Sequence, residues 1–431
     1  MLALMLVAMA VAADKEPVGR FVIAAGKPRT AALSADGSRV AAVSDGGPVL
    51  VWDVATGKQL ARITPRKSTV KLAFSPDGKE LLTSGYQGLY LWDASSGKQL
   101  LAIEDQDTTY TDAMFLPGGG AFAYRAGVFH TADRVRSIPI SHHVRGVLRE
   151  NGKEMFDVRV MDTRGDESLA SSPDGEVIAA GWWNGCVRFY SLEGKQQGEG
   201  KGPLAKVQSL AFTPDGRSVA SVCVDGVVRL WERRTGGERW GVRGHKSGAR
   251  LVAASPDGRA LATAGQDGEV KLWSTAEGKE LRSKKGPKGT AVALQHQPNG
   301  RLVGLSIDHV SVRLWTVDDG KGLPEARAAR LSPREMAKAW EAMEEEDAAA
   351  AYRAMMSLAA SPGAVAFLRG KVAPAKAEED VALEAARAVE VLERIGDRDA
   401  RAVLKTLAGG HAKAALTAEA AEALGRLAER R

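Results

Sequence analysis

Cysteine is nearly absent from this chain: 431 residues contain two, Cys186 and Cys223. They fall at non-equivalent places of neighbouring repeats, so two separate buried thiols are expected rather than a disulfide framework. After the first dozen residues no apolar run is long enough to cross a bilayer, which removes a membrane span from consideration. There is no dense basic stripe either. The formal charge is +6, and the part before Arg330 carries about +7 of it, a mild lean toward anionic partners that argues against specific nucleic-acid binding. Signatures of catalysis are missing too: no Gly-x-Ser-x-Gly, no His-Glu-x-x-His, no phosphate-cradling glycine loop and no Cys/His cluster. Paired carboxylates such as Glu104 and Asp105 sit in turns and read as solvated. No catalytic residue, metal site or cofactor is expected.

The one apolar run lies at the start, MLALMLVAMAVAADKE, with Ala10-Val11-Ala12 as an A-x-A site. It resembles a secretory signal peptide over residues 1–13, though it lacks the usual Lys or Arg before the run. An exported protein, periplasmic or secreted, is therefore expected over a cytoplasmic one.

What the chain has in abundance is glycine, 47 residues, and much of it is periodic. SADG stands at 34–37, SPDG at 75–78, LPGG at 116–119, SPDG at 172–175, TPDG at 213–216, SPDG at 255–258 and QPNG at 297–300. Measured at the third residue, the steps are 41, 41, 56, 41, 42 and 42 residues. Such a ladder is the signature of a repeat architecture. Apart from the weaker LPGG, each tetrapeptide has type I turn chemistry, with a short polar residue before a glycine. An apolar segment precedes it, a β-rich run follows, and a third segment ends in an aromatic 15 or 16 residues on: Trp52, Trp92, Tyr190, Trp231, Trp273 and Trp315. A fourth short strand follows, as in ATGKQLARI at 55–63.

VRLWERRTGGE (228–238), LYLWDASSGKQL (89–100) and VLVWDVATGKQL (49–60) together resemble the WD-repeat β-propeller family over residues ~20 to ~320. The resemblance implies an all-β propeller with four strands per blade, and the seven turns imply seven blades. It also implies that His245, Thr263, Asp267 and Trp273 form an internal hydrogen-bonded tetrad, a structural role rather than a catalytic one. GRFVIAAGKPRTAAL (19–33) resembles KELRSKKGPKGTAVAL (279–294), so the segment around Phe21 is expected to supply the missing fourth strand of the last blade. The 56-residue step is read as an insertion near 141–166, placed in a loop, with His142 and His143 as exposed loop histidines. The propeller is thus assigned to residues 14–323.

Residues 324–431 change character. Ser332-x-x-Glu335 with Pro333 is a capping box with proline at the first helical position. Residues 387–410 read as two antiparallel helices, stopped at Gly396 and restarted at Asp397, similar to a HEAT-type hairpin. A small α-helical domain is expected.

The loops from the fourth strand of one blade to the first of the next share a face with the turns between second and third strands. Those loops, including AAGKPRT, TPRKST, RGHKSG and the acidic exception EDQDTT, hold 11 Lys or Arg against four Asp or Glu. The family uses this face for partners, so the resemblance implies a non-enzymatic scaffold binding an acidic protein segment or an anionic glycan. The alternative is an exported enzyme or small-ligand or glycan-binding propeller using the central channel. Within GWWNGCVRFY (181–190), Asn184 aligns with Asp267 and Trp183 with Gln266, close in type and place to Tyr86. One of the two tryptophans should pack between blades while the other is partly exposed. Trp182, Trp183, Tyr86, Lys246, Arg66 and Lys67 are the expected partner-binding residues.

Overall fold

The recurring turn explains why the chain folds as it does. In the computed structural model, Ser75 Oγ donates to Asp77 Oδ1 at 2.7 Å, while the amides of Lys79 and Glu80 donate to Asp77 Oδ1 and Ser75 Oγ at 3.0 and 2.9 Å. The same staple recurs at Ser34–Asp36, Ser172–Asp174, Thr213–Asp215 and Ser255–Asp257. Its glycine takes a positive φ, as at Gly78 (69°), which residues with a Cβ adopt reluctantly. Each staple reverses the chain between an inner strand and the next, so one short motif lays down the start of a sheet.

The structure describes residues 19–22, 27–128, 141–160, 168–286, 289–297, 301–308, 311–316, 330–377 and 381–429. The expected export segment, 1–13, lies outside them. Two compact units result: Met1–Gly236, Gly241–Ser274 and Lys279–Lys321 form one, and Gly237–Trp240, Thr275–Gly278 and Gly322–Arg431 the other.

The first unit is a six-bladed propeller, not a seven-bladed one. Sheet one is Pro28–Leu33, Arg39–Ser44, Val49–Asp53 and Gln59–Ile63. Sheet two has six strands: Thr69–Phe74, Glu80–Asp93, Gln99–Phe115, Ala121–Val128, Ser141–Leu148 and Glu154–Val160. Sheet three is Leu169–Ser171, Val177–Gly181, Val187–Ser191 and Gln196–Gly200, and sheet four is Val207–Phe212, Ser218–Cys223, Val227–Glu232 and Glu238–Arg243. Sheet five is Ala249–Ala254, Ala260–Gly265, Glu269–Ser274 and Glu280–Lys285. Sheet six joins Thr290–His296, Leu302–Ile307 and Ser311–Thr316 to the early strand Gly19–Val22.

Where the second and third turn motifs predict separate blades, Gln99–Phe115 runs on as one strand through Glu104–Thr109, and the register carries Tyr86 opposite Thr109. Its connector, EDQDTT, has neither Gly nor Pro, whereas the other connectors each contain one, so the strand continues through it, with a register shift opposite Tyr86 and Gly88. The supposed loop insertion is also strand. Ser141–Leu148 and Glu154–Val160 pair around Asn151-Gly152, with Gly152 at φ 68°, an Asn-Gly turn between two β-forming runs. His142 and His143 therefore sit on a strand and not in an exposed loop.

Gly19–Val22 pairs antiparallel with Ser311–Thr316, and Phe21 packs with Ala31, Val40, Trp52, Leu305 and Val312 in one buried cluster. That cluster joins sheets one and six and closes the ring, and the early strand covers an edge that would otherwise be bare. Similar clusters link sheet two to three and three to four. The core thus lies largely between sheets, and a further cluster around Leu82, Leu91, Tyr110, Phe122 and Tyr124 is built within sheet two.

The second unit holds α1 (Pro333–Glu344), α2 (Ala348–Ala359), α3 (Ala364–Arg369), α4 (Leu383–Ile395), α5 (Arg398–Ala408) and α6 (Ala415–Glu429). The capping box at Ser332 and Glu335 is formed, Gly396 ends α4 at φ 60°, and Asp397 caps α5 through the Ala400 amide. Within this unit Arg239 makes a two-pronged ion pair with Glu390 at 2.8 Å and lies 4.4 Å from the Tyr352 ring centre. Both charges are almost wholly buried, and each satisfies the other.

Phe21→Ala should lower unfolding free energy by about 3–5 kcal/mol, the usual loss for a buried Phe truncated to Ala. Urea unfolding measures it, and a variant as stable as the parent would show that the early strand does not close the ring.

Candidate functional site

Backbone hydrogen bonds stitch turns and connectors into a continuous rim on one face. Tyr86 N donates to Ser68 O, Val207 N to Trp182 O, Val224 N to Lys206 O, Gly244 and His245 N to Gly226 O, Gln266 N to Gly248 O and Gly286 N to Gly268 O. Among the described residues, these turns between second and third strands are fastened to the connector beside them. This confirms that the two kinds of loop share a face, which alternation along the strands alone could not prove.

Sheet five carries the expected tetrad intact. Trp273 Nε1 donates to Thr263 Oγ1 at 2.8 Å, Thr263 Oγ1 lies 2.8 Å from His245 Nε2, and His245 Nδ1 lies 3.1 Å from Asp267 Oδ1. One arrangement of protons satisfies every atom: Nδ1 carries the hydrogen toward Asp267, and Nε2 accepts from Thr263. Burial lowers the His245 pKa despite the neighbouring carboxylate. Burial pushes Asp267 the other way, but the Glu269 amide, His245 and the Lys246 amide together hold its pKa below the ordinary value. His245 is buried, and its ring nitrogens are spent on Thr263 and Asp267. Gly265 makes room for it, since a Cβ there would come within 2.2 Å of His245 Nδ1. Sheets two and four keep only the indole–hydroxyl bond, Trp92 to Thr83 at 2.9 Å and Trp231 to Ser221 at 2.8 Å.

The expected partner-binding residues divide into three groups. Arg66, Lys67, Tyr86 and Lys246 are exposed on the rim, and Lys67 Nζ donates to Gln87 Oε1 beside Tyr86. Trp183 is half-buried in the 182–185 turn. Trp182 is fully buried, with the guanidinium carbons of Arg188 and Arg125 at 5.1 and 5.8 Å from its ring centre. One tryptophan packs between sheets and its neighbour reaches the surface, so the doubled Trp serves two purposes. Trp182 is out of a partner's reach.

Beside Tyr86 the rim is locally acidic. Tyr90 OH donates to Glu104 Oε1 at 2.8 Å, and burial, then that carboxylate, push the phenol's pKa up. His142 lies 2.9 Å from Arg125 Nη2, while His143 Nδ1 lies 2.6 Å from Asp157 Oδ1. Among the described residues no three His, Cys, Asp or Glu side chains are grouped to hold a metal. A cavity of about 310 Å³ lies between sheets five and six, lined by Arg250, Gln266, Glu269, Thr290, Ser306 and Trp315 among others.

Two surface residues escaped the sequence reading. Leu204, in the connector before Val207, is 83% exposed, and Val224, at the place of Trp183 in the next sheet, is 41% exposed. The apolar character of KGPLAK was legible, but a single Leu in a polar connector carries no periodicity to say which way it faces.

Residues 194–232 and 238–274 match the sequence profile described as "WD domain, G-beta repeat". The chain carries WD repeats. Similar stretches occur in "Telomerase protein component 1" of Rattus norvegicus, 42% identical over 65 residues, 15% of this chain and 2% of that protein. "WD repeat-containing protein 26 homolog" of Arabidopsis thaliana is 37% identical over 68 residues, 16% of this chain and 12% of that protein. The chain thus spans only a small fraction of these relatives, and the likeness is confined to repeats.

Stability should fall with acid in two stages. The unfolded His245 imidazole takes a proton near its ordinary pKa of 6.5, but the folded one resists until lower pH, so stability is full above 6.5 and declines below it. Asp267 adds a further loss as pH drops through its lowered folded pKa. Urea midpoints read between about pH 7 and pH 5 should decline in the parent and flatten in His245→Ala; an unchanged slope would remove His245 as the cause.

Proposed function

We propose that this protein is a non-enzymatic interaction scaffold whose propeller holds a protein partner on the rim of stitched turns and connectors. The observation that carries this reading is Trp183, a large aromatic left only partly buried on that rim. A large aromatic in a polar turn loses solvation without filling a core, and Trp is the residue type that most often anchors an interface. WD repeats support the same reading at the level of fold, as a platform on which sites are built. Tyr86, Arg66, Lys67 and Lys246 stand on the same face and give it an amphipathic, mainly cationic surface.

Its place of action is proposed to be outside the cytoplasm, on the strength of the apolar run Leu2–Val11 and the A-x-A site behind it. N-terminal sequencing of protein from fractionated cells should find a chain beginning near residue 13; an intact Met1 in the cytoplasmic fraction would reject export.

Crosslinking of the full chain, with a photoreactive residue at position 183, should capture a discrete protein partner. Trp183→Ala should weaken that complex by about tenfold, the loss expected of an interface anchor worth more than 1 kcal/mol, while its melting temperature stays within a few degrees of the parent's. Equal loss of stability would make Trp183 a core residue. Co-purification of a metabolite with the propeller, and of no protein, would favour the channel-binding alternative.

A further inference from the structure

The connector 201–206 is the least expected part of the rim. It is held on both sides. Val207 N donates to Trp182 O at 3.0 Å and Val224 N donates to Lys206 O at 2.9 Å. Gly202 and Gly185 approach so closely that a Cβ on Gly185 would stand 2.0 Å from Pro203 O, and one on Gly202 would stand 2.7 Å from Gly185 O. Gly185 also needs its φ of 82°. Pro203 removes further freedom from the same stretch. The connector is therefore pinned between the 182–185 turn, which carries Trp183, and the 223–226 turn, which carries Val224.

On this rigid bridge Leu204 is 83% exposed, with Val224 on the turn to one side and half-buried Trp183 on the turn to the other. An isolated exposed Leu needs no explanation. Three neighbouring apolar positions on successive fastened segments, one of them Trp, form a strip. Its surroundings are cationic. Lys201 is 79% exposed at the foot of the connector, Lys206 ends it, and Arg243 and Lys246 are exposed on the next connector, itself bonded to Gly226. The nearby carboxylates are engaged: Glu199 pairs with Arg188 at 3.0 Å and lies 4.0 Å from Lys201, and Asp225 accepts from the Val227 amide and lies 4.0 Å from Arg229, so these two acids face more cations than they neutralise. The strip thus faces outward with a surplus of positive charge.

We propose that Trp183, Leu204 and Val224 form the docking strip for an acidic peptide segment of another protein, one carrying apolar side chains spaced among Asp and Glu. This deepens the scaffold reading and rests on it. The apolar strip sets where the peptide's own apolar side chains seat, and Lys201, Lys206, Arg243 and Lys246 select its charge and speed its approach. Pinning means the strip is ordered before the partner arrives, which reduces the entropy lost on binding.

The test uses the full chain and three fluorescein-labelled twelve-residue peptides. One mixes Leu and Trp with Glu and Asp, one keeps the acids but replaces the apolar residues with Ser, and one keeps the apolar residues but replaces the acids with Lys. Only the first should raise fluorescence anisotropy. Its binding should weaken as salt is added, because exposed charges are screened. Leu204→Asp and the pair Lys201→Glu with Lys246→Glu should each weaken it by about tenfold or more, the scale of an anchor truncation or a reversed rim charge. Melting curves of these exposed-site variants should match the parent.

Failure of the first peptide to bind overturns the proposal, as does binding that Leu204→Asp leaves unchanged. Equal binding of the Ser-substituted peptide would reduce the strip to nonspecific charge. Stronger binding of a heparin-derived oligosaccharide, competing with the peptide, would assign the surface to an anionic glycan instead. A partner still crosslinked at position 183 after the peptide fails would leave the scaffold reading standing and remove only the strip; loss of both would remove both.

Discussion

The structure depends on one small polar arrangement, a Ser or Thr hydroxyl that donates to the Asp two residues on while accepting the amide five residues on. Both hydroxyl contacts are inside the protein: Ser34, Ser75, Ser172, Thr213 and Ser255 are all buried. A buried hydroxyl without partners would be destabilising, so the Asp must be where it is. The Ser75 hydroxyl and the Lys79 amide hold the Asp77 carboxyl below its ordinary pKa, which keeps it an acceptor well into acid. Because the staple sets the hairpin, it sets which face of each strand turns inward. Sheets one to five inherit their register from this motif.

Rim and core are consequences of that register. Alternation puts Val, Leu and Ala between blades, where the indoles of Trp92, Trp231 and Trp273 also find hydroxyl acceptors. At the same ends of the strands, backbone bonds between turn and connector produce a rigid rim without using side chains. The side chains there are then free to vary. Sheet five spends its positions on a His–Asp pair, while sheets three and four present Trp183 and Val224 at the place of Gln266. A hydrogen-bonded tetrad and surface-reaching apolar side chains are two uses of one site in the repeat.

Sheet two shows how little is needed to change the architecture. EDQDTT links the second and third turn motifs with residues that can all extend, and the strand runs through it. Gln87, at φ 61°, sits at a register shift where Glu80–Asp93 folds back on itself, close enough for Trp92 Nε1 to reach Thr83 Oγ1 at 2.9 Å. Farther on, Asn151-Gly152 folds Ser141–Leu148 against Glu154–Val160, so a stretch that broke the spacing of the repeat completes a sheet. Length between turn motifs counts residues, and says nothing about whether the ladder is cut.

The sequence alone determined the all-β propeller class, the closing strand around Phe21, the tetrad of His245, Thr263, Asp267 and Trp273, the capped helices after Ser332 and the partition of the Trp182–Trp183 pair. These rest on local chemistry: turn residues, caps and period-two alternation act over a few residues and leave a visible pattern. Tertiary structure decided the number of separate sheets, since pairing through Glu104–Thr109 is a matter of which strand lies alongside. It decided that His142 is buried against Arg125 and that His143 meets Asp157, because strand partners are remote in sequence. It alone exposed Leu204 and Val224, because the orientation of one side chain in a connector is set by the two turns that pin it, and those turns belong to different sheets.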